Sequence, residues 1–243
     1  MYREIVKLLP AEKYVYVADN AFCPYGEKSR EEVTERARTI TEFLLGMGCE
    51  VIVVACNTAT AAAISTLRAE YDIPFIGMEP AVKLAAISTK SGVIGVLATA
   101  GTLKASKYID TRDRYSQGKE VIESVGQGFV ELVESGDIDS ENARRTVRKS
   151  VQPLLEKGAD VLVLGCTHYP FLLDTIRSVV EEAAPGRDVT IIDAAPAVAR
   201  HLVEVMKEKG IAFQQSPSPL SKPETELYAS GDLESLRRIY SLI

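Results

Sequence analysis

Short apolar runs recur along the chain, with helical spacing between them. The runs are YVYVAD (14–19), EVIVVA (50–55), PFIGM (74–78), GVIGVLAT (92–99), EVIESVG (120–126), DVLVLG (160–165), DVTIID (188–193) and TELYASG (225–231). Most are apolar throughout, which suits parallel strands covered on both faces; a half-exposed antiparallel strand would alternate. After Ser29 the period changes. SREE sets a glutamate three residues beyond a serine, the pattern of a capping box, and Val33, Ala37, Ile40, Phe43 and Leu44 then form one helical stripe that Gly46 and Gly48 end. A second helix is predicted from about Asp139 through SENARRTVRKSVQPLLEKG, with Pro153 inside it and Gly158 as its stop.

One unit of this pattern occurs twice. EVIVVACNTAT (50–60) returns 110 positions later as DVLVLGCTHYP (160–170), and upstream LGMGCE (45–50) faces LEKGAD (155–160). Alternating strands and helices over a duplicated unit imply an α/β fold of two doubly wound, mostly parallel-sheet domains related by pseudo-symmetry, with the active site at their interface. The first domain is expected to comprise 1–78 plus 188–243 and to carry Cys56, the second 79–187 and to carry Cys166. QQSPSPLSKPE (214–224) is predicted to be a surface loop before a last strand and helix.

Composition narrows the function. At 243 residues with 46% hydrophobic content the chain is long enough for buried cores. A net charge of −6 and a pI near 5.2 argue against nucleic acid or an anionic membrane as the partner and favour a small molecule. No signal peptide is legible in MYREIVKLLPAEK, and no run of about 18 apolar residues occurs, so a cytoplasmic location is expected. Four cysteines (Cys23, Cys49, Cys56, Cys166) then read as reduced thiols.

Cys56 and Cys166 both stand where an apolar strand is predicted to turn into a helix. In an open parallel sheet ligands bind beyond the carboxyl ends of the strands, at helix N-termini. Taken alone, such a cysteine reads equally as small apolar filling; the repeat favours function. A helix N-terminus favours a thiolate, and the residues that follow, Asn57 and Thr58 after one, Thr167 and His168 after the other, supply donors for a carboxylate or a plain helix cap. Zinc finds no Cys-x-x-Cys pair, which also removes a thioredoxin-type centre, and Ala62 and Leu172 stand where an arginine would clamp a transferred phosphate. GQG (126–128) lacks the third glycine of a dinucleotide loop, Glu131 standing in its place. A thiol protease would use one cysteine and leave the other idle. Two thiols on opposite faces of one carbon fit racemisation, one removing a proton and the other returning one.

At these residues the sequence resembles the glutamate racemases of the aspartate/glutamate racemase family. ACNTATA and GCTHYP match the family's paired signature, PYG (24–26) its third motif, and the likeness runs over essentially the whole chain. The resemblance implies a cofactor-independent enzyme that interconverts L- and D-glutamate for peptidoglycan, with no metal and with a homodimer as the assembly. It implies that Cys56 acts on D-glutamate and Cys166 on L-glutamate, with His168 assisting Cys166. Pro24, Tyr25, Gly26, Asn57, Thr58, Thr99, Thr167 and Glu134 are the implied substrate-binding residues, Glu134 matching the family acid near His168. Glu134 and Tyr25 have structural readings beside this one, a solvated acid and a turn residue, and Cys23 and Cys49 read as structural.

The family also has an initial strand ending in Asp-Ser-Gly. Here MYREIVKLLP matches the helix after it, so the sequence is expected to begin at an internal Met of a longer active protein; a weak enzyme and a silent glutamate-binding or protein-interaction module are the other readings. Within enzymes the alternative is an aspartate- or hydantoin-type racemase.

Overall fold

A computed structural model describes residues 1–213 and 223–241. Of the loop expected at 214–224, only Pro223 and Glu224 fall within the described residues. The chain divides into two compact units, Met1–Met78 with Ala195–Ile243, and Glu79–Ala194.

The first unit runs α1 (Tyr2–Leu8), β1 (Tyr14–Ala18), α2 (Arg30–Gly46), β2 (Ile52–Val54), α3 (Asn57–Glu70) and β3 (Phe75–Gly77). Its strands form two parallel pairs, β2 with β3, and β1 with a strand near the C-terminus, where a single sheet per domain had been the expectation. Helices pack on both sides of β2 and β3, which is why these two runs are apolar throughout. On one side Ala37 and Leu44 of α2 and Ala63, Ile64 and Leu67 of α3 pack with Ile52 and Phe75. Ile76, one residue along β3 and so on its opposite face, packs with Ile5 and Leu9.

The capping box forms as the sequence predicts: the Ser29 hydroxyl accepts from Glu32 N–H, and the Glu32 carboxylate accepts from Ser29 N–H at 2.9 Å. The predicted stripe is displaced at one position. Phe43 is exposed, while Thr34 is buried because its hydroxyl returns to the Arg30 carbonyl at 2.8 Å.

The second unit runs α4 (Val82–Ser88), β4 (Val93–Ala98), α5 (Ala100–Leu103), α6 (Ser106–Tyr115), β5 (Glu120–Val125), α7 (Phe129–Ser135), α8 (Glu141–Glu156), β6 (Val161–Gly165), α9 (Leu173–Ala183) and β7 (Thr190–Asp193). All four strands are parallel, in the order β5-β4-β6-β7. Ile94, Val96, Ala98, Val161 and Val163 face Val82, Ala85 and Tyr108 on one side. The intervening positions face α8, where Gly95 makes room for Leu154 and Leu162. This is a doubly wound sheet. The helix predicted from about Asp139 starts at Glu141, capped by Ser140, and continues through Pro153. Because β7 pairs with β6, the chain leaves this unit after Ala194 and not near Asp188.

The chain then returns through α10 (Ala195–Glu208), β8 (Thr225–Ala229), which is the partner of β1, and α11 (Leu233–Ser241). Among the described residues, no helix is long and apolar enough to cross a membrane.

Asp160, at the entrance to β6, ties the sheet to the loop after α4. Its carboxylate accepts from the Thr89 hydroxyl (2.5 Å) and from Lys90 and Ser91 N–H (2.8 and 2.7 Å). Burial by itself would raise this carboxyl, but the Thr89, Ser91 and Lys90 hydrogen bonds outweigh it and hold the pKa at about 2, below the ordinary 3.8. A folded pKa below the unfolded one contributes stability above pH 4 that is lost as pH falls through about 2. Asp160→Asn is expected to lower unfolding free energy at pH 7 by about 1–2 kcal/mol, after discounting for solvent at this partly exposed group. The difference from the unmodified chain should vanish toward pH 2 in urea titrations.

Candidate active site

The first predicted thiol caps a helix. β2 ends at Val54, Cys56 keeps an extended backbone, and its Sγ accepts from Ala59 N–H at 3.4 Å as the N-cap of α3. A free N–H of a helix N-terminus aimed at sulfur favours negative charge there. Thr60, which sequence reasoning did not single out, fixes this helix start. Its hydroxyl donates to the Val54 carbonyl (3.2 Å) and accepts from Met78 N–H (2.9 Å), joining α3 to the ends of β2 and β3. The approach is close enough that a Cβ at Gly77 would lie 2.5 Å from Thr60 Cγ2.

Asn57 and Thr58 follow in the first turn, both buried. Asn57 Oδ1 is the one buried side-chain N or O atom without a hydrogen-bond partner among the described residues. A buried polar atom left unpaired costs stability, and such atoms concentrate where a ligand is to be met.

Pro24, Tyr25 and Gly26 lie in the same unit as Cys56, at and just after the start of a 3-10 turn, Tyr25–Glu27, that packs against α3. The Tyr25 hydroxyl donates to the Asp19 carboxylate, which Arg36 also grips with two N–H groups at 2.6 and 3.0 Å. Burial would raise the Asp19 carboxyl, but hydrogen bonds from Arg36, Tyr25 and Ser230 hold it below 3.8. Burial, then the hydrogen bond to Asp19 and the charges of Asp19 and Cys56, push the Tyr25 phenol far above its ordinary range. Tyr25 is therefore a fixed, protonated donor. Asp19 and Arg36 escaped sequence reasoning; the position of Asp19 at the carboxyl end of an apolar run was its only signal.

The second thiol differs from the expectation. No α-helix starts at Cys166; a turn comes first, then a 3-10 helix at Tyr169–Leu172, and only then α9. Pro170 sits in the first turn of that 3-10 helix, where its missing N–H is tolerated. Here the thiol has a histidine instead of a helix end. Cys166 Sγ lies 3.9 Å from His168 Nδ1, and His168 Nε2 is 2.7 Å from Glu134 Oε1. The carboxylate orients the ring and fixes which nitrogen faces the sulfur. Glu134 thus stands behind the histidine, a positioning place beside the residue the resemblance sets it near.

Thr99 and Thr167 belong to this unit too. Thr99 follows β4, and its hydroxyl caps α5 by accepting from Thr102 N–H at 3.2 Å. Tyr169 is fully buried against Phe129, and its hydroxyl donates to the Gly126 carbonyl at 3.4 Å. Burial, and then the charge of a thiolate at Cys166, keep its phenol protonated. The GQG set aside as a dinucleotide motif has a packing role: a Cβ at Gly126 would run into the Tyr169 ring, and Gly128, at φ 81°, caps the helix that carries Glu134.

The predicted residues therefore gather into two groups, each at strand carboxyl ends within its own unit: Pro24, Tyr25, Gly26, Cys56, Asn57 and Thr58 in the first, and Thr99, Glu134, Cys166, Thr167 and His168 in the second. The chain is similar to known proteins over nearly its whole length. The glutamate racemase of Methylococcus capsulatus is 46% identical over 242 residues, covering 99% of this chain and 86% of that protein. The glutamate racemase isoform RacE1 of Bacillus anthracis superposes with a TM-score of 0.82 at 32% identity, covering 99% of this chain and 87% of that one. The Escherichia coli glutamate racemase, solved with L-glutamate and the activator UDP-MurNAc-ala, gives 0.82 at 29% identity, with 99% and 88% covered. The sequence profile described as Asp/Glu/Hydantoin racemase matches residues 1–202, and with a thiol at the strand end of each unit the chain belongs to that family.

Proposed function

We propose that this chain interconverts L- and D-glutamate without a cofactor, Cys56 acting as the base on D-glutamate and Cys166 on L-glutamate. One thiolate takes the α-proton, so that an S–H bond forms as the Cα–H bond breaks; the other thiol then gives its proton to the opposite face of the carbanion. The thiolate changes sides and the net charge of the enzyme is unchanged. The observation that carries this reading is the pair of strand-end thiols, each with a partner suited to charge at sulfur: the Ala59 N–H for Cys56, and the Glu134–His168 line for Cys166.

The buried carbonyl of Asn57, an acceptor, fits the substrate's ammonium. The N–H groups at the start of α3 and the hydroxyls of Thr58 and Thr167 fit its carboxylates, where they stabilise the charge that develops as the proton leaves. Glutamate is the preferred substrate because both the Methylococcus relative and the structures from Bacillus and Escherichia are glutamate racemases. The product, D-glutamate, serves peptidoglycan synthesis in the cytoplasm.

The test is hydrogen exchange. With D-glutamate in D2O, the reduced protein is expected to replace the α-hydrogen by deuterium, seen by NMR, and to form L-glutamate, seen by circular dichroism. Folded protein that exchanges nothing refutes the proposal in favour of a silent binding module. Faster turnover of aspartate or a hydantoin would move the assignment within the family.

A further inference from the structure

Asp19 is nearly sealed, its side chain 7% exposed. A buried carboxylate is costly unless paired, and Arg36 supplies two charge-assisted hydrogen bonds while the Phe22 ring covers the guanidinium carbon at 3.9 Å from its centroid. Tyr25 donates to the same carboxylate, its turn packs on α3, and its phenol feels charge at Cys56. A row results within one unit: the cation Arg36, the anion Asp19, the neutral Tyr25, and the thiol at the head of α3.

We infer that Arg36 is a positioning residue for the first thiol, its charge cancelling that of Asp19 so that the carboxylate does not oppose a thiolate at Cys56. This rests on the proposed role of Cys56 as a base. Among the described residues the neighbouring groups are placed otherwise, and the cation Lys28 stands 5.9 Å from the Phe22 ring centroid. β2 and β3 carry no ionisable side chain, Glu27 of the Tyr25 turn is exposed, and Arg30 of α2 is turned to the Ala62 carbonyl. The first turn of α3 adds none of its own.

The sign of the charge makes this separable from a structural role. For D-glutamate the acid limb of the kcat/KM profile reports Cys56 losing its proton; for L-glutamate the basic limb reports the same thiol acting as acid. Arg36→Gln leaves Asp19 unopposed, and both limbs are expected to move up by about half a pH unit or more. Asp19→Asn leaves Arg36 unopposed and should move both down. The double variant Asp19→Asn/Arg36→Gln should bring both back to the unmodified positions.

Limbs that stay in place in folded Arg36→Gln, or shifts that the double variant fails to cancel, would overturn the inference. Should Arg36→Gln not fold, Asp19→Asn and the double variant decide: equal limbs overturn the inference, and lower limbs in Asp19→Asn support it. Unmodified protein that does not racemise glutamate would overturn the parent reading and this one together.

Discussion

Replacing either strand-end cysteine by alanine is expected to lower racemisation by at least about 10³-fold while leaving the fold intact. Neither side chain is part of a packed core: both thiols are only partly buried, and the Ala59 N–H contact to Cys56 Sγ is long, at 3.4 Å. A positioned acid or base contributes roughly 10²–10⁴ in rate, and loss of one thiol removes the base of one direction and the acid of the other. The two variants should nevertheless differ in a third measurement. Cys56→Ala keeps Cys166, His168 and Glu134, so in D2O it should still exchange the α-hydrogen of L-glutamate without forming D-glutamate. Cys166→Ala should exchange only D-glutamate. Equal exchange of both enantiomers by either variant would refute the assignment of one thiol to each face. His168→Asn is the graded case, weakening Cys166 and sparing exchange of D-glutamate by Cys56.

These expectations trace back to features that a sequence shows well. Several strands announced themselves because parallel strands covered on both faces need unbroken apolar runs, and Val93–Ala98 and Val161–Gly165 are of that kind. The start of α2 was legible because a capping box is a local device, complete within Ser29–Glu32. Both thiols stood out through repetition. What was lost depends on distance along the chain. Asp19 and Arg36 are seventeen positions apart and meet only after α2 has folded back beside β1. Gly126 explains itself only through Tyr169, which lies forty-three positions on. The second thiol was misplaced at a helix start because strand-cysteine-polar patterns look alike whether an α-helix or a 3-10 turn follows.

Gly165→Ala should be a damaging single-carbon change near the candidate site. Gly165 ends β6 in register with Ala98 of β4, and a Cβ added there would lie 2.8 Å from Ala98 Cβ, 3.0 Å from the Leu97 carbonyl oxygen and 3.3 Å from Pro80 Cγ. Two of the three obstacles belong to a hydrogen-bonded neighbouring strand that cannot retreat without opening the ladder, so relief must come from β6 itself. Overpacking of this kind costs about 1–3 kcal/mol, or a fall in Tm of roughly 2–12 °C for a chain of this size. Activity should suffer more than stability does, because the next residue is Cys166. A displacement of about 1 Å at a reacting group costs on the order of 10²-fold, and it should appear in kcat for L-glutamate before it appears in KM. Gly46→Ala sets the contrast: a Cβ at the last residue of α2 meets nothing within 4 Å, so the same added methyl is expected to leave activity alone and raise Tm slightly. If Gly165→Ala melts with the unmodified protein and turns over L-glutamate at its rate, the close approach of β4 and β6 is not what holds Cys166 in place.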